Sequence, residues 1–118
     1  MDTLIKYFSL SDLAGSDEES FEKIVALFAD DAILEANNQS KFVGIKAISS
    51  FFKDFFHTNS ELKHVWEITQ GEKYIEAHWG VVGKRAKNRQ IFTLVGTDYA
   101  VLNPDNKIVY LKVVGNNE

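Results

Sequence analysis

Phe21-Glu22-Lys23-Ile24-Val25-Ala26-Leu27-Phe28-Ala29-Asp30-Asp31-Ala32-Ile33-Leu34-Glu35-Ala36 is the stretch whose reading decides the fold. Phe21, Ile24, Val25 and Phe28 fall at i, i+3, i+4 and i+7, one apolar stripe along a helix. Asp30-Asp31 break that period and help to end the helix. Ala32 to Ala36 read as a short strand. A helix therefore hands over to a strand with almost no linker between them.

Upstream, Ser16-Asp17-Glu18-Glu19 reads as a capping box that starts this helix. Acidic residues in its first turn suit the positive end of the helix dipole. Gly15 marks the end of an earlier helix over residues 1–13, with Leu4, Ile5 and Phe8 on one side and Leu13 at its edge. Downstream, Asn37 to Lys41 form a polar turn, and Gly44 precedes a third helix from Ile45 to Phe56. Ile45, Ile48, Phe52 and Phe55 share one side of it, flanked by Phe51 and Phe56, with His57 at its carbonyl end. After Asn59 the period changes from helix to strand. Four extended runs follow, Leu62–Thr69, Lys73–Gly83, Arg89–Leu102 and Lys107–Val114, separated by polar turns. Consecutive strands with short turns predict an antiparallel meander. The expected class is α+β: a cone, with three N-terminal helices packed on a strongly curved, mainly antiparallel mixed sheet.

The 118 residues, 45% apolar and 25% charged, suit one domain spanning 1–118. Nine Phe, four Tyr and two Trp suggest a dense core with rings left to line a pocket. A net charge of −4 argues against nucleic acid or an anionic membrane as partner. The lack of cysteine excludes disulfides and thiolate chemistry, and three His without Cys do not suggest a zinc site. No cofactor or metal is expected. The opening MDTLIKYF has no secretory pattern, and no run approaches the ~20 apolar residues of a membrane helix, so cytoplasmic residence is the expectation.

Ile24 to Glu35, with its FADDA core, resembles the signature of SnoaL-like and ketosteroid-isomerase-like proteins of the nuclear transport factor 2-like superfamily. Gly44 with Ile45–Phe56 resembles that family's third helix. Ala77-His78-Trp79-Gly80-Val81 resembles a central strand, and Asp98-Tyr99 through Asn106-Lys107-Ile108-Val109 its last hairpin. Together these motifs cover almost the whole chain. They imply the cone fold; function does not follow from fold.

The resemblance also implies places for a catalytic set: a carboxylate base, a Tyr and a protonated Asp. The base would follow Glu35, where this chain has Ala36. Glu35 itself points to the other face of its strand. The Tyr position falls on Phe8, with Tyr7 next to it. Only Asp98 matches, on the alternating set Phe92, Leu94, Gly96, Asp98, Ala100, Leu102. Ordinary ketosteroid isomerisation is therefore not expected. Whether the chain is an enzyme stays open.

On the second long strand Ile75, Ala77, Trp79 and Val81 share one face, and Tyr74, Glu76 and His78 the other. Either His64 or Trp66 could reach the cup. Lys84-Arg85-Ala86-Lys87-Asn88-Arg89 reads as a solvated hairpin tip. The leading expectation is a small, largely apolar ligand lined by Phe8, Phe28, Leu34, Phe52, Phe55, Trp79, Leu94 and Asp98, with Asp98 its polar anchor. The alternatives are an isomerase, cyclase or dehydratase acting on a carbonyl compound through Asp98 and Tyr7, and a ligand-free dimeric scaffold. Ile91, Val95, Tyr99 and Val101 alternate opposite the Asp98 set, which predicts a homodimer through the outer sheet face.

Overall fold

The computed structural model describes residues 2–116. The first helix, α1 (Asp2–Ala14), is followed by α2 (Glu18–Val25), strands β1 (Phe28–Glu35) and β2 (Lys41–Val43), and α3 (Ile45–Thr58). Strands β3 (Asn59–Gln70), β4 (Ile75–Arg85), β5 (Ile91–Leu102) and β6 (Ile108–Asn116) complete the chain. All six strands form one sheet in the order β2-β1-β6-β5-β4-β3. The meander from β3 to β6 is antiparallel, while β1 runs parallel to β6, so the sheet is mixed. It is an α+β architecture with three helices on an open, six-stranded sheet.

Local chemistry explains most of the boundaries. The α2 cap is Asp17 rather than Ser16: the Asp17 carboxylate accepts from the Glu19 amide and from the Ser20 hydroxyl. The Ser20 hydroxyl, donating at 2.6 Å, holds the Asp17 carboxyl below its ordinary pKa. The Ser16 hydroxyl instead turns back to the Leu13 carbonyl, so there is no Ser16–Glu19 box. The helix stops at Val25, and Phe28 opens β1 instead of extending α2. Sheet pairing wins over helical period here, because the Ile108 amide bonds the Leu27 carbonyl and Phe28 pairs with Ile108. Asp30 and Asp31 lie exposed within β1, where its register against β6 shifts. The expected turn over 37–41 is shorter than read, since Lys41 to Val43 pair with β1 as β2. Gly44, at φ 90°, lets the chain swing from β2 into α3, a conformation other residues resist.

The core lies between the helices and the concave face of the sheet. Leu4, Ile24, Leu34, Ile48, Ile108 and Leu111 are fully buried within it. The buried face of α1 is Thr3, Leu4, Tyr7, Phe8, Ser11 and Ala14. Ile5 and Leu13, expected on that face, are exposed because they fall outside this arc of the helix. On α3 the buried line is Ile48, Phe52 and Phe56, at steps of four.

Gly96 sets how the sheet fills its concave side. It pairs with Trp79, which pairs in turn with Trp66. A methyl group on residue 96 would run into the Val114 backbone carbonyl and lie 2.5 Å from Cζ2 of Trp79. The indole therefore occupies the place of the side chain that position 96 lacks. Gly96→Ala is expected to overpack these contacts and destabilise the fold by about 1–3 kcal/mol, read as a lower midpoint in urea unfolding; an unchanged midpoint would show that both the indole and the β6 backbone at Val114 can give way.

Candidate functional site

Period-two alternation sends one set of strand side chains toward the helices. On β3 these are Leu62, His64 and Trp66, and on β4 Ala77, Trp79, Val81 and Arg85. On β5 they are Phe92, Leu94, Asp98 and Ala100, and on β6 Leu111 and Val113. The inner end of this set packs solidly. The other end, under α1 and α3, leaves a cavity of about 390 Å³.

Phe51, Phe52, Phe55 and Phe56 of α3 form one wall, Tyr7, Phe8 and Ser11 of α1 another. The sheet contributes Leu62, His64, Trp79, Val81, Arg85, Phe92, Leu94, Asp98 and Val113. Ala36, Asn37, Asn38 and Gly115 edge it. The rings brace one another. Phe8 stacks on Trp66 at 5.5 Å, and Tyr7 meets Phe52 edge-on at 6.0 Å.

Asp98 is the polar centre. It is 2% exposed and accepts a hydrogen bond from the Trp79 indole N–H at 2.9 Å through Oδ1. Among the described residues no group bonds Oδ2, yet no buried polar side-chain atom lacks a partner. Oδ2 therefore opens on the cavity. Burial pushes the carboxyl up to about 7, while the Trp79 bond pulls it down. Tyr7 is also buried; its hydroxyl pKa stands well above the usual value, through burial first and then the charge of Asp98. By the same reasoning as for Oδ2, the Tyr7 hydroxyl has no described protein partner and faces the hollow.

Of the residues the sequence singled out, Tyr7, Phe8, Phe52, Phe55, Trp79, Leu94 and Asp98 all reach this cavity. Phe28 and Leu34 do not. Leu34 is fully buried in the core, and the Phe28 ring packs behind the wall against Phe52 at 5.6 Å. Ala36 edges the cavity, while Glu35 points to the other face and sits near Lys112 and Lys41 at 3.6 and 3.9 Å. The exposed His78 is on the outer face, bonded to Thr97.

Several contributors were not singled out as lining. Phe51 and Phe56 were read only as flanks of the α3 stripe. Arg85 was read as part of a solvated tip, but it folds back: its guanidinium donates to Asn59 Oδ1 at 2.7 Å and lies 3.9 Å over the Phe92 ring. His64, one of two options on its strand, is bonded through Nδ1 to Asp12 at 2.6 Å.

A model of the SnoaL-like domain matches residues 13–111. The chain belongs to the SnoaL-like family. The similar solved structures agree with that placement. An NTF2-like protein of unknown function from Exiguobacterium is 36% identical, with a TM-score of 0.89 over 98% of this chain and 99% of that one. A candidate polyketide cyclase from Xanthomonas campestris is 16% identical, with a TM-score of 0.83 over 98% and 88%. SalBIII, an epoxide hydrolase/cyclase-like enzyme with a role in pyran ring formation in the polyether salinomycin, is 18% identical, with a TM-score of 0.81 over 98% and 88%. The last two likenesses show the fold alone. Among curated proteins, none is significantly similar in sequence. No described helix of this SnoaL-like chain is long and apolar enough to cross a membrane.

The raised Asp98 pKa has a consequence for stability. Between the ordinary carboxyl value of 3.8 and about 7 the folded state holds a proton that the unfolded state releases. Stability is then full below the unfolded value and falls as pH rises toward 7. Urea unfolding at pH 4 and pH 8 should show wild type losing stability relative to Asp98→Asn, by on the order of 4 kcal/mol. Equal pH dependence in the two proteins would place the Asp98 carboxyl in water.

Proposed function

We propose that the cavity binds a small, largely apolar molecule carrying one hydrogen-bonding group, with Asp98 and Tyr7 receiving that group. The observation that carries this is the Asp98 side chain, 2% exposed and bonded to Trp79 through one oxygen, with its other oxygen open to a ring-lined hollow and without a protein partner. A carboxyl this enclosed gains from a guest that bonds its open oxygen. A cavity of about 390 Å³ has room for a molecule of one or two rings. That volume also counts against a filled, ligand-free scaffold.

A second reading, an isomerase, cyclase or dehydratase acting on a carbonyl-bearing substrate, is favoured by one further observation. Asp98 and Tyr7 line the same cavity, and the charge of Asp98 helps to raise the Tyr7 pKa, so two O–H donors stand in one apolar site, as enolate stabilisation needs. The cyclase-like names among the structural neighbours are in keeping with it.

The outer sheet face suits a second copy of the chain. Val65, Val82, Ile91 and Val95 are exposed there, from 43% to 72%. Tyr74 packs against Tyr99 and Tyr110 beside them. An aliphatic and aromatic sheet face left open on one side favours twofold pairing. The proposed assembly is a homodimer formed without loss of the cavity.

2-Naphthol tests the binding reading. Its two rings match the hollow and its hydroxyl matches Asp98. We expect saturable binding by fluorescence, about tenfold weaker for Asp98→Asn, or ~1.4 kcal/mol; no saturable binding to wild type would contradict the reading. For assembly, sedimentation should give twice the chain mass for wild type and a single chain for Val95→Glu. A wild-type monomer at high concentration would contradict the dimer.

A further inference from the structure

We propose that Arg85 is an anion anchor of this cavity, so that the guest is an amphipathic carboxylic acid with its carboxylate on Arg85 and its apolar body among the rings. The proposal rests on the reading that the cavity admits a small apolar guest. It adds a charged group at the end of that guest away from Asp98.

Arg85 ends β4 and lines the hollow together with Phe55, Leu62 and Phe92. Two contacts fix where its guanidinium sits. Nη1 donates to Asn59 Oδ1 at 2.7 Å, and Cζ lies 3.9 Å from the centre of the Phe92 ring. Asn59 is itself held in place. It is buried, and its side-chain amide donates to the Phe55 carbonyl at 2.9 Å, where α3 ends. Its oxygen is thereby left for Arg85. The charged group, and not only its aliphatic stem, is pinned beside the cavity wall.

The rest of the fork is open. A guanidinium carries five N–H donors, and among the described residues only the bond from Nη1 is made. No buried polar side-chain atom of the described residues lacks a partner, so Nε and Nη2 open to accessible space. Their edge presents two parallel donors, the arrangement that meets both oxygens of a carboxylate. The charge is unmatched as well. Among the described residues no ion pair includes Arg85, and Glu61 on the facing strand pairs with Lys84 instead. A half-buried cation without a counter-ion attracts an anion more strongly than one in open water.

The hollow also orients an acid. Among its described lining residues Asp98 is the one carboxylate and Arg85 the one permanent cation. Asp98 pairs with Ala77, and from Ala77 to Arg85 the extended strand runs roughly 26 Å. The two groups are therefore separate poles rather than an ion pair. An anionic end is drawn to Arg85 and repelled by Asp98, which leaves the Asp98 pole for a neutral group.

The test compares 2-naphthoate with its neutral isostere 2-naphthamide by fluorescence titration at pH 6, where the naphthoate carboxyl is ionised. Wild type is expected to bind naphthoate about tenfold more tightly than naphthamide. Arg85→Gln should bind the two alike. An arginine that served the fold alone would give no such preference for charge. ¹H–¹⁵N NMR reads the contact in wild type and decides the matter if Arg85→Gln does not fold: the Arg85 Nε–H signal should move further with naphthoate than with naphthamide. Equal affinity of wild type for the two compounds would overturn the proposal. So would a preference that survives in Arg85→Gln, or an Nε–H signal that saturating naphthoate leaves in place. If 2-naphthol binds while naphthoate gains nothing over naphthamide, the anion anchor alone is lost. If none of the three binds, the binding reading falls and this proposal falls with it.

Discussion

A single hydrogen bond, from the Trp79 indole to Asp98, organises the hollow side of this protein. It requires three things at once. Trp79 and Asp98 must share the concave face on neighbouring strands, which the β4–β5 register provides. Position 96 must be vacant, which Gly96 ensures. The carboxyl must be buried yet only half satisfied, which leaves one oxygen for a guest. With a bulkier residue at 96, the indole would tilt and the carboxyl would lose its one described donor.

The helices supply the other half of the constraint. α1 and α3 bring mostly rings to the roof, with the Tyr7 hydroxyl and Ser11 as the polar exceptions, so the polarity of the cavity is concentrated at a few points. Burial in that surrounding is what raises Asp98 and Tyr7 above their ordinary pKa values. An acid poised near neutrality in an apolar hollow can act as donor or acceptor with little change in conditions. The same economy holds at the opposite wall, where Asp12 and Arg85 each fix one element. Asp12 ties β3 to α1, and Arg85 clasps the start of β3 across Asn59 and Phe92.

Much of this was legible in the residues, because alternation along a strand is a strong signal. The facing of Asp98, Trp79 and Leu94 follows from period two alone, and the helix order follows from the spacing of Phe, Ile and Leu. What failed to show were effects decided at long range. Phe28 keeps the helical period of α2, but its backbone is claimed by Ile108, 80 positions later. Leu34 was expected on the cavity wall, yet it is fully buried in the core, paired with Leu111 of β6. The lining role of Arg85 depends on Asn59, and the orientation of His64 depends on Asp12, residues distant in sequence whose pairing no local pattern announces. A basic run at a hairpin tip and a lone histidine on a strand look ordinary until the fold joins them to their partners.

The most direct test of the central claim is a ¹³C NMR titration of the Asp98 side-chain carboxyl in the folded, unliganded protein. A buried carboxyl with one described hydrogen-bond donor should titrate near pH 7. A midpoint near the ordinary aspartate value of about 4 would mean that the carboxyl is hydrated, and that the enclosing, ring-lined hollow around it does not persist in solution.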